Sequence, residues 1–326
     1  MKAYGVKHKD LDIRLRSRSG GAFVAISDVV LSEGGIVYGC KMETPYRAVH
    51  ARAENREERN AFCGSKYIQS DMQGVYPQIE MDLRNGKTVL FSGTPCQVKA
   101  VKKYFSIKNI KVGKLILVDI ACQGVPSSLI WREYLRIFEI EQKHDADRVD
   151  FRNKKEYGWH SHFDTVRYGK NTVSSMLYGF LFNHHLILRP ACYECTAKTL
   201  PYESDITLAD FWGIEQIDQD FDDNRGVSLV LVNTVIGQQL IEKTDVMIER
   251  KEYPLEKVVQ KPLIEPANCP SERDTFWADY FSRGMRYCLM KYAGYTKKRE
   301  LLDYLPDKIV HILGRNKVVR RKHNDK

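Results

Sequence analysis

The sequence predicts an α/β fold with a largely parallel or mixed sheet, helices on both faces and a C-terminal helical appendage. Strand-like and helix-like runs alternate from about residue 21 to 240, as in proteins whose helices cover a central sheet. Beyond residue 262 the composition shifts to aromatic and basic helix-like segments. We therefore expect one α/β domain over residues 1–262 and a helical appendage with a basic tail over residues 263–326.

The composition is that of an ordinary globular protein. The 326 residues are 43% hydrophobic and 29% charged, which is enough to bury a substantial core. Eight cysteines are too sparse for a disulfide scaffold, and neither a signal peptide nor a membrane-spanning apolar run is evident. We therefore expect a cytoplasmic protein with free thiols. The net charge of +9 is spread along the chain without a nucleic-acid-binding motif, so nucleic acid is not an expected partner.

The segment VLFSGTPCQVKA, residues 89–100, combines a strand, a turn and the start of a helix. Its apolar run stops at Gly93, turns through Thr94 and Pro95, and places Cys96 at the first turn of the helix. Unpaired N–H groups and the positive end of the helix dipole favour a thiolate at that position. The thiolate is the form of cysteine that binds metal or attacks an electrophile.

A second segment, KLILVDIACQGVPSSLIWREYL at residues 114–135, repeats this pattern with Cys122 after the strand. Two consecutive strand–turn–helix units predict neighbouring parallel strands joined by a crossover helix. Their carboxyl ends then lie on one edge of the sheet, about 4.8 Å apart. Cys96 and Cys122 are therefore expected to face one small object at the edge where α/β sheets bind ligands.

A third segment, PACYECTAK at residues 190–198, adds Cys192 and Cys195 in a CxxC spacing. Four thiols from three segments are enough for a tetrahedral site. Structural zinc usually draws on two compact CxxC pairs, whereas only one pair is local here. The dispersed pattern favours an iron–sulfur cluster, with zinc or unrelated buried and redox thiols as alternatives.

Two polar segments are candidates for binding phosphate. Ser17, Ser19, Gly20 and Gly21 directly precede a helix-period apolar run, and neighbouring arginines add positive charge. A capped helix with solvated arginines explains this segment equally well, since no complete phosphate-loop motif is present. GSKYIQS at residues 64–70 can hold a diphosphate and shield a planar ring, or can be a polar loop that enters a strand.

Together these segments resemble the beta-subunit family of coenzyme F420 hydrogenase and dehydrogenase, which includes 7-hydroxymethyl chlorophyll a reductase-like proteins. The resemblance runs from residue 1 to about residue 235, in the order expected for the family. It is carried by SRSGGAF, GGIVYG, GSKYIQS, VLFSGTPCQV, VDIACQGVPS, VDFRNK with GW, CYEC, DITLADFWG and GVSLVLVNT.

The resemblance implies that the α/β domain binds FAD and a [4Fe–4S] cluster. Four cysteines match the family's motifs and would be the cluster ligands: Cys96, Cys122, Cys192 and Cys195. The flavin-site candidates would be Ser17, Ser19, Gly20, Gly21, Gly64, Ser65, Lys66, Tyr67, Gln69 and Ser70. Thr94 and Gln97, which flank Cys96, would lie between the two cofactors. The remaining cysteines match no motif: Cys40, Cys63, Cys269 and Cys288.

Two features depart from the family's pattern. Many bacterial members begin with a ferredoxin-like domain, whereas this sequence begins at MKAYGVKHKD, close to where that domain would end. We therefore expect a separate ferredoxin-type protein to exchange electrons with the chain, or the chain to be a truncated or degenerate version. The family's usual CHGVP turn is CQGVP here, so Gln123 replaces a histidine and the case for proton delivery at that position is weakened.

The resemblance implies an oxidoreductase that couples hydride transfer at flavin to one-electron transfer through the cluster. Its substrate would be a small hydride-exchanging molecule, coenzyme F420 or another, and the chain would act as an oligomer or as a subunit of a complex. The alternatives are a non-catalytic electron-transfer subunit and a zinc-stabilised enzyme of polysaccharide modification.

No catalytic residue is identified from the sequence. His160 and His162 in GWHSHFD are interpreted as a surface pair. Asp205 and Asp210 in DITLADFWG are interpreted either as turn-capping residues or as general acid–base groups.

Overall fold

The computed structural model describes residues 1–110, 112–198, 202–295 and the backbone of 319–322. It confirms the α/β fold, with a nine-stranded mixed sheet, a smaller antiparallel sheet and a C-terminal helical region. The strands are β1 (Lys2–His8), β2 (Ile36–Thr44), β3 (Arg47–Ala53), β4 (Ser70–Asp71), β5 (Val89–Gly93), β6 (Leu115–Ile120), β7 (Arg148–Asp150), β8 (Asp164–Tyr168), β9 (Asn171–Ser175), β10 (Ile206–Asp210), β11 (Ser228–Val232), β12 (Ile248–Tyr253) and β13 (Val319–Lys322).

The helices connect these strands and cover the large sheet. They are α1 (Leu11–Arg16), α2 (Ala22–Ser32), α3 (Arg56–Asn60), α4 (Val75–Arg84), α5 (Pro95–Ile107), α6 (Ser128–Gln142), α7 (Lys154–Tyr157), α8 (Leu177–Asn183), α9 (Ile214–Ile217), α10 (Val235–Glu242), α11 (Leu255–Val258), α12 (Lys261–Ile264) and α13 (Arg273–Ala293). Short 3-10 turns lie at Pro190–Cys192 and Gln219–Phe221. No helix within the described ranges is long and apolar enough to cross a membrane.

The strand order of the large sheet is β12-β1-β11-β10-β6-β5-β2-β3-β4. The four central strands β10, β6, β5 and β2 are parallel, whereas β11 is antiparallel to both β10 and β1. The carboxyl ends of the central strands therefore meet at one edge. β1 ends at the same edge, so the segment that follows it also begins there.

The two strand–turn–helix units identified in the sequence are neighbours in this sheet. β5 and β6 pair in parallel from Val89 with Leu115 to Gly93 with Asp119. α5 begins at Pro95 and carries Cys96 in its first turn, whereas Cys122 lies in the turn between β6 and α6, which begins at Ser128. The predicted parallel pairing of these strands is therefore confirmed.

Alternating side chains along the central strands pack against helices on opposite faces of the sheet. Val37 of β2 packs in a cluster with α2 and α10, whereas Ile36 and Tyr38 pack in another with α4 and α5. All three side chains are buried, as the period-two geometry of a doubly covered strand requires. The predicted helices on both faces are thus observed.

A second hydrophobic core joins α6, α8 and α13 to the small sheet β13-β9-β8-β7. Trp131 and Tyr178 are fully buried at its centre, and Phe276 and Cys288 of α13 pack against the same cluster. α13 is kinked at Gly284, where φ is +80°. The domain boundary at residue 262 stays a prediction, and the second helix-like segment of the appendage, residues 297–313, lies outside the described residues.

The loop between α1 and α2 packs directly on the backbones of β1 and β11. The Gly20 N–H donates to Ser228 Oγ at 2.9 Å, and the Gly20 carbonyl accepts from the His8 N–H at 2.7 Å. A Cβ atom on Gly20 would overlap the Val6 carbonyl oxygen and lie 2.5 Å from the Ser228 nitrogen. Glycine is therefore needed at this position for close approach to the strands.

We expect Gly20→Val to lower the free energy of unfolding by at least about 3 kcal/mol, because the strand backbones cannot move aside for the new side chain. Urea denaturation followed by circular dichroism measures the change. Gly113→Val is the control, since a Cβ there meets no described atom within 4 Å. A Gly20→Val protein as stable as the parent would contradict this account of the loop.

Candidate functional site

A cavity of about 440 Å³ opens at the carboxyl edge of the central strands. One side, which we call the strand wall, is formed by Cys40, His50 and Ser92 of β2, β3 and β5. A second set of lining residues, which we call the loop wall, consists of Arg18, Arg152, His162 and Asp164. Ligands of open α/β sheets bind in this position, and the volume is in the range of small-molecule sites.

The structure brings most of the predicted site residues to this one cavity. Those that line it are Ser17, Ser19, Gly21, Gly64, Ser65, Lys66, Tyr67, Gln69, Ser70, Thr94, Gln97, Cys96 and Cys122. Gly20 faces the strands instead, and Cys192 and Cys195 lie outside the lining residues. Their roles as cofactor ligands stay predictions.

The first predicted phosphate segment ends in the N-terminus of α2. Gly21 is the N-cap residue of this eleven-residue helix and has a left-handed backbone, with φ +92°. Glycine brings no capping side chain, and the first N–H groups of a helix have no intrahelical acceptor. Because Gly21, Ala22 and Phe23 all line the cavity, these N–H groups can approach an anion there.

A buried lysine fixes the path of this segment. The Lys154 ammonium donates to the carbonyls of Arg14, Ser19 and Arg225 at 2.6, 2.8 and 2.9 Å. Lys154 is 5% exposed, and burial lowers its pKa to about 7, so its hydrogen bonds to these three carbonyls take the place of bonds to water. It therefore ties the loop at residues 14–19 to the turn before β11.

Replacement of Lys154 by methionine should lower the free energy of unfolding by about 2–4 kcal/mol, because three buried carbonyls lose their hydrogen-bond donor. Chemical denaturation measures the change, and Lys155→Met on the adjacent exposed residue is the matched control. Equal stabilities of the two variants would show that Lys154 does not hold the loop.

The second predicted segment uses its own charged and aromatic residues to hold its shape. The Lys66 ammonium donates to the carbonyls of Phe62 and Cys63 at 2.8 Å and of Gly64 at 3.1 Å. Burial lowers the pKa of Lys66. The Tyr67 ring packs against Phe182 with centroids 4.9 Å apart. Lys66 therefore stabilises the loop backbone that lines the cavity.

Gln97 links this segment to the start of α5. Its side-chain oxygen accepts from the Thr94 N–H at 2.9 Å, and its Nε2 donates to Ser70 Oγ at 2.8 Å. The first bond is half of a capping box at the helix N-terminus. Thr94 and Gln97 are thus held between the GSKYIQS loop and Cys96.

Three of the four predicted cluster cysteines are close together. Cys96 is exposed in the first turn of α5, 3.2 Å from Thr94 Oγ1. The Val125 N–H, in the turn after Cys122, donates to Cys192 Sγ at 3.3 Å. Burial raises the pKa of Cys122 to about 12, and the nearby Cys96 and Cys192 thiols raise it further. The turn after β6 therefore lies between the other two segments.

The donor chemistry of this group fits an iron–sulfur cluster. Thiolates are the ligands that such clusters prefer, and Cys195 follows Cys192 by three residues. Among the described residues, no three or more His, Cys, Asp or Glu side chains are arranged to hold a metal ion. The ligands of a four-iron cluster surround several metal atoms and so lie farther apart than those of one ion.

The loop wall contains Arg152 and Asp164, for which the sequence patterns predicted no role. Arg152 Nη1 donates to Asp210 Oδ2 at 2.6 Å, and its guanidinium lies 4.8 Å from the centroid of the Trp212 ring. Burial opposes ionisation of Asp210, but Arg152 and Arg18 hold its pKa below the ordinary value. Asp210 is therefore a half-buried carboxylate that pairs with Arg152.

The two histidines of GWHSHFD differ in position. His160 is exposed and lies 3.1 Å from Asp222, as the surface interpretation predicts. His162 lies in the loop wall, where burial lowers its pKa to about 4. His162 is therefore neutral at physiological pH and forms part of the cavity.

Two groups on the strand wall are also neutral. His50 Nε2 lies 3.0 Å from the Ser92 carbonyl oxygen, and its ring stacks on Phe91 with centroids 5.3 Å apart. Burial lowers the pKa of His50 to about 4 and raises the pKa of the Cys40 thiol. The carbonyl requires a donor, so Nε2 carries the proton.

Asp164 is a buried carboxyl in the loop wall. Its Oδ1 accepts from the Arg152 N–H at 2.9 Å, and its Oδ2 has no hydrogen-bond partner among the described residues. Burial raises the pKa of Asp164 to about 7. The carboxyl therefore retains a proton well above the pH at which an exposed aspartate loses it.

Asp164→Asn should gain stability relative to the parent as the pH rises. The folded parent binds one proton more than the unfolded chain between about pH 4 and 7, so its free energy of unfolding falls across that range. The free energy of unfolding of the variant minus that of the parent should therefore grow by up to about 4 kcal/mol, since each pKa unit is worth about 1.4 kcal/mol. Urea denaturation from pH 4 to 8 measures it. Asp12→Asn, at an exposed residue, should show no such trend, and a flat difference for Asp164→Asn would refute the assignment.

Fold and site together define an α/β protein whose sheet edge forms a cavity, lined by polar and apolar residues, beside a group of thiols. The family model that describes the C-terminal region of the beta subunit of coenzyme F420 hydrogenase/dehydrogenase matches residues 86–258, and the chain belongs to this family. The match contains all four predicted cluster cysteines. Family membership indicates a redox function of the F420 hydrogenase beta-subunit type.

The structure is also similar to a chain in the xenon-derivatized F420-reducing [NiFe] hydrogenase complex from Methanosarcina barkeri. The two share 19% sequence identity and align with a TM-score of 0.54 over 93% of each chain. At this identity the similarity shows a common fold. A comparison with curated proteins found no match.

Proposed function

We propose that the chain is an FAD- and [4Fe–4S]-dependent oxidoreductase that couples hydride exchange to one-electron transfer. The observation that carries this proposal is the approach of Cys96, Cys122 and Cys192 from three chain segments, two of them on the wall of one cavity. When bound, FAD supplies two-electron hydride exchange and the cluster supplies one-electron transfer.

Cys96, Cys122, Cys192 and Cys195 would hold the cluster. Cys96 lies in the first turn of α5, at the positive end of the helix dipole. The Val125 N–H donates to Cys192 Sγ, and such bonds to the ligand sulfur tune a cluster's reduction potential. Gln123 Nε2 donates to His185 Nε2 at 3.0 Å, which fixes the turn that carries Cys122.

The flavin would lie in the cavity with its phosphates at the N-terminus of α2, near Ser17, Ser19 and Gly21. Gln97 and Thr94 would separate it from the cluster, since their hydrogen bonds fix the wall between Ser70 and Cys96. Asp164 is the wall carboxyl that can hold or release a proton near neutral pH. The hydride-exchanging substrate would be coenzyme F420 or another small molecule.

The one-electron partner would be a ferredoxin-type protein, with the chain acting as a subunit of a complex or as an oligomer. The net charge of +9 supports association with an acidic protein, because opposite charges accelerate encounter. A cytoplasmic location remains part of the proposal and accords with eight cysteines that are free in the structure.

Iron and sulfide analysis of eight single cysteine-to-alanine variants, purified anaerobically, tests the cluster assignment. We expect Cys96→Ala, Cys122→Ala, Cys192→Ala and Cys195→Ala each to lose most of the iron and inorganic sulfide, because the cluster needs all four thiolates. The matched control is Cys63→Ala, which removes another half-buried thiol of the same cavity and should retain the iron. Cys40→Ala, Cys269→Ala and Cys288→Ala should also retain it.

Full iron in the Cys96→Ala or Cys122→Ala protein would refute the shared site. Parent protein that is colourless and contains zinc would favour the zinc-stabilised enzyme instead. Protein that holds iron, sulfide and flavin but shows no hydride exchange with reduced coenzyme F420 or an artificial donor would favour the non-catalytic electron-transfer subunit.

A further inference from the structure

A second cleft of about 790 Å³ adjoins the cavity. Arg18, Arg152, Ser65 and Lys66 line both spaces. Cationic residues predominate in the cleft wall: Arg16, Arg18, Arg56, Arg59, Lys66, Arg148, Arg152, Lys154 and Lys155, against the carboxylates of Asp28, Glu43, Asp147 and Asp150. Arg18 and Arg152 therefore stand where a positively charged cleft joins the proposed redox cavity.

Arg152 has more donors than partners. It is 5% exposed, and its Nη1 serves Asp210 and the Tyr67 hydroxyl at 2.6 and 3.3 Å. Nε and Nη2 are buried and have no hydrogen-bond partner among the described residues. An arginine side chain in this state carries a desolvation cost that a ligand acceptor would relieve.

Arg18, which lies close to Arg152, also has more donors than partners. One terminal nitrogen, Nη2, donates to the Trp159 carbonyl at 3.3 Å, and Nε is buried without a partner in the described part of the chain. Burial lowers the pKa of Arg18 to about 10, and the positive charge of Arg152 lowers it further. Asp210 and Asp150 offset this charge only in part, and Asp210 is already paired with Arg152.

We propose that Arg18 and Arg152 form a binding site for a phosphate or carboxylate group of a ligand that enters both spaces. The unused nitrogens supply the planar donor geometry that such anions accept. The N-terminus of α2, three residues after Arg18, adds favourable potential on the cavity side. The proposal rests on the proposed function only for the identity of the ligand, because the anion is either the flavin diphosphate or an anionic group of the substrate.

Isothermal titration of the purified full chain with inorganic pyrophosphate, at one fixed ionic strength, tests this site. We expect binding to the parent, and at least about tenfold weaker binding to Arg18→Met and to Arg152→Lys. Arg152→Lys keeps the positive charge opposite Asp210, so its fold should survive. Arg132→Met removes an exposed arginine that lines neither space and should change the affinity less than about twofold.

The proposal fails if the parent does not bind pyrophosphate, if both arginine variants bind as the parent does, or if Arg132→Met weakens binding equally. Repetition with FAD-loaded protein identifies the source of the anion. Loss of pyrophosphate binding assigns the site to the flavin diphosphate, and retained binding assigns it to a second ligand. The titration of flavin-free protein does not depend on iron or hydride exchange, so its result stands apart from the test of the proposed function.

Discussion

The parallel pairing of β2, β5, β6 and β10 is the constraint on which the remaining structure depends. Parallel neighbours must be joined by crossovers, so the turns after β5 and β6 emerge at one edge, with Gly93 opposite Asp119. That register brings Cys96 and Cys122 to the same end of the sheet. The antiparallel placement of β1 beside β11 delivers the loop at residues 14–21 to the same edge. One cavity can therefore collect residues from distant parts of the chain.

Buried cations hold this edge together, and they do so mainly through backbone carbonyls. Lys154 and Lys66 each donate to three or more carbonyls, which satisfies loop acceptors that strands and helices leave unpaired. Arg152 differs because two of its buried nitrogens have no partner in the described structure. The lysines thus stabilise the loops, whereas Arg152 has more buried donors than the described residues satisfy.

Local patterns in the sequence predicted the strands and turns of this edge of the sheet but not the charged contacts of the loop wall. Apolar runs that end in Gly-Thr-Pro or Cys-Gln-Gly are signals contained within a few residues, and β5, β6 and the helices after them follow those signals. Lys154 acts on a carbonyl 140 residues away, and Arg152 pairs with a carboxylate 58 residues away, so nothing near them in the sequence indicates these roles. Gly20 shows a different limit of sequence analysis. The sequence does not distinguish a glycine required for close packing on a strand from a glycine required for close approach to a phosphate.

The neutral strand wall has a consequence for how the cavity responds to pH. The Nε2 N–H of His50 donates a hydrogen bond to the Ser92 carbonyl, and the ring remains uncharged above about pH 5. The Cys40 thiol is uncharged through neutral pH because burial raises its pKa. Neither group therefore changes its charge across the physiological range. A molecule in the cavity would meet one side of fixed polarity and one side, around Asp164, whose charge changes near pH 7. Of these two walls, the loop wall is therefore the one that can exchange a proton with a bound molecule near neutral pH, at Asp164.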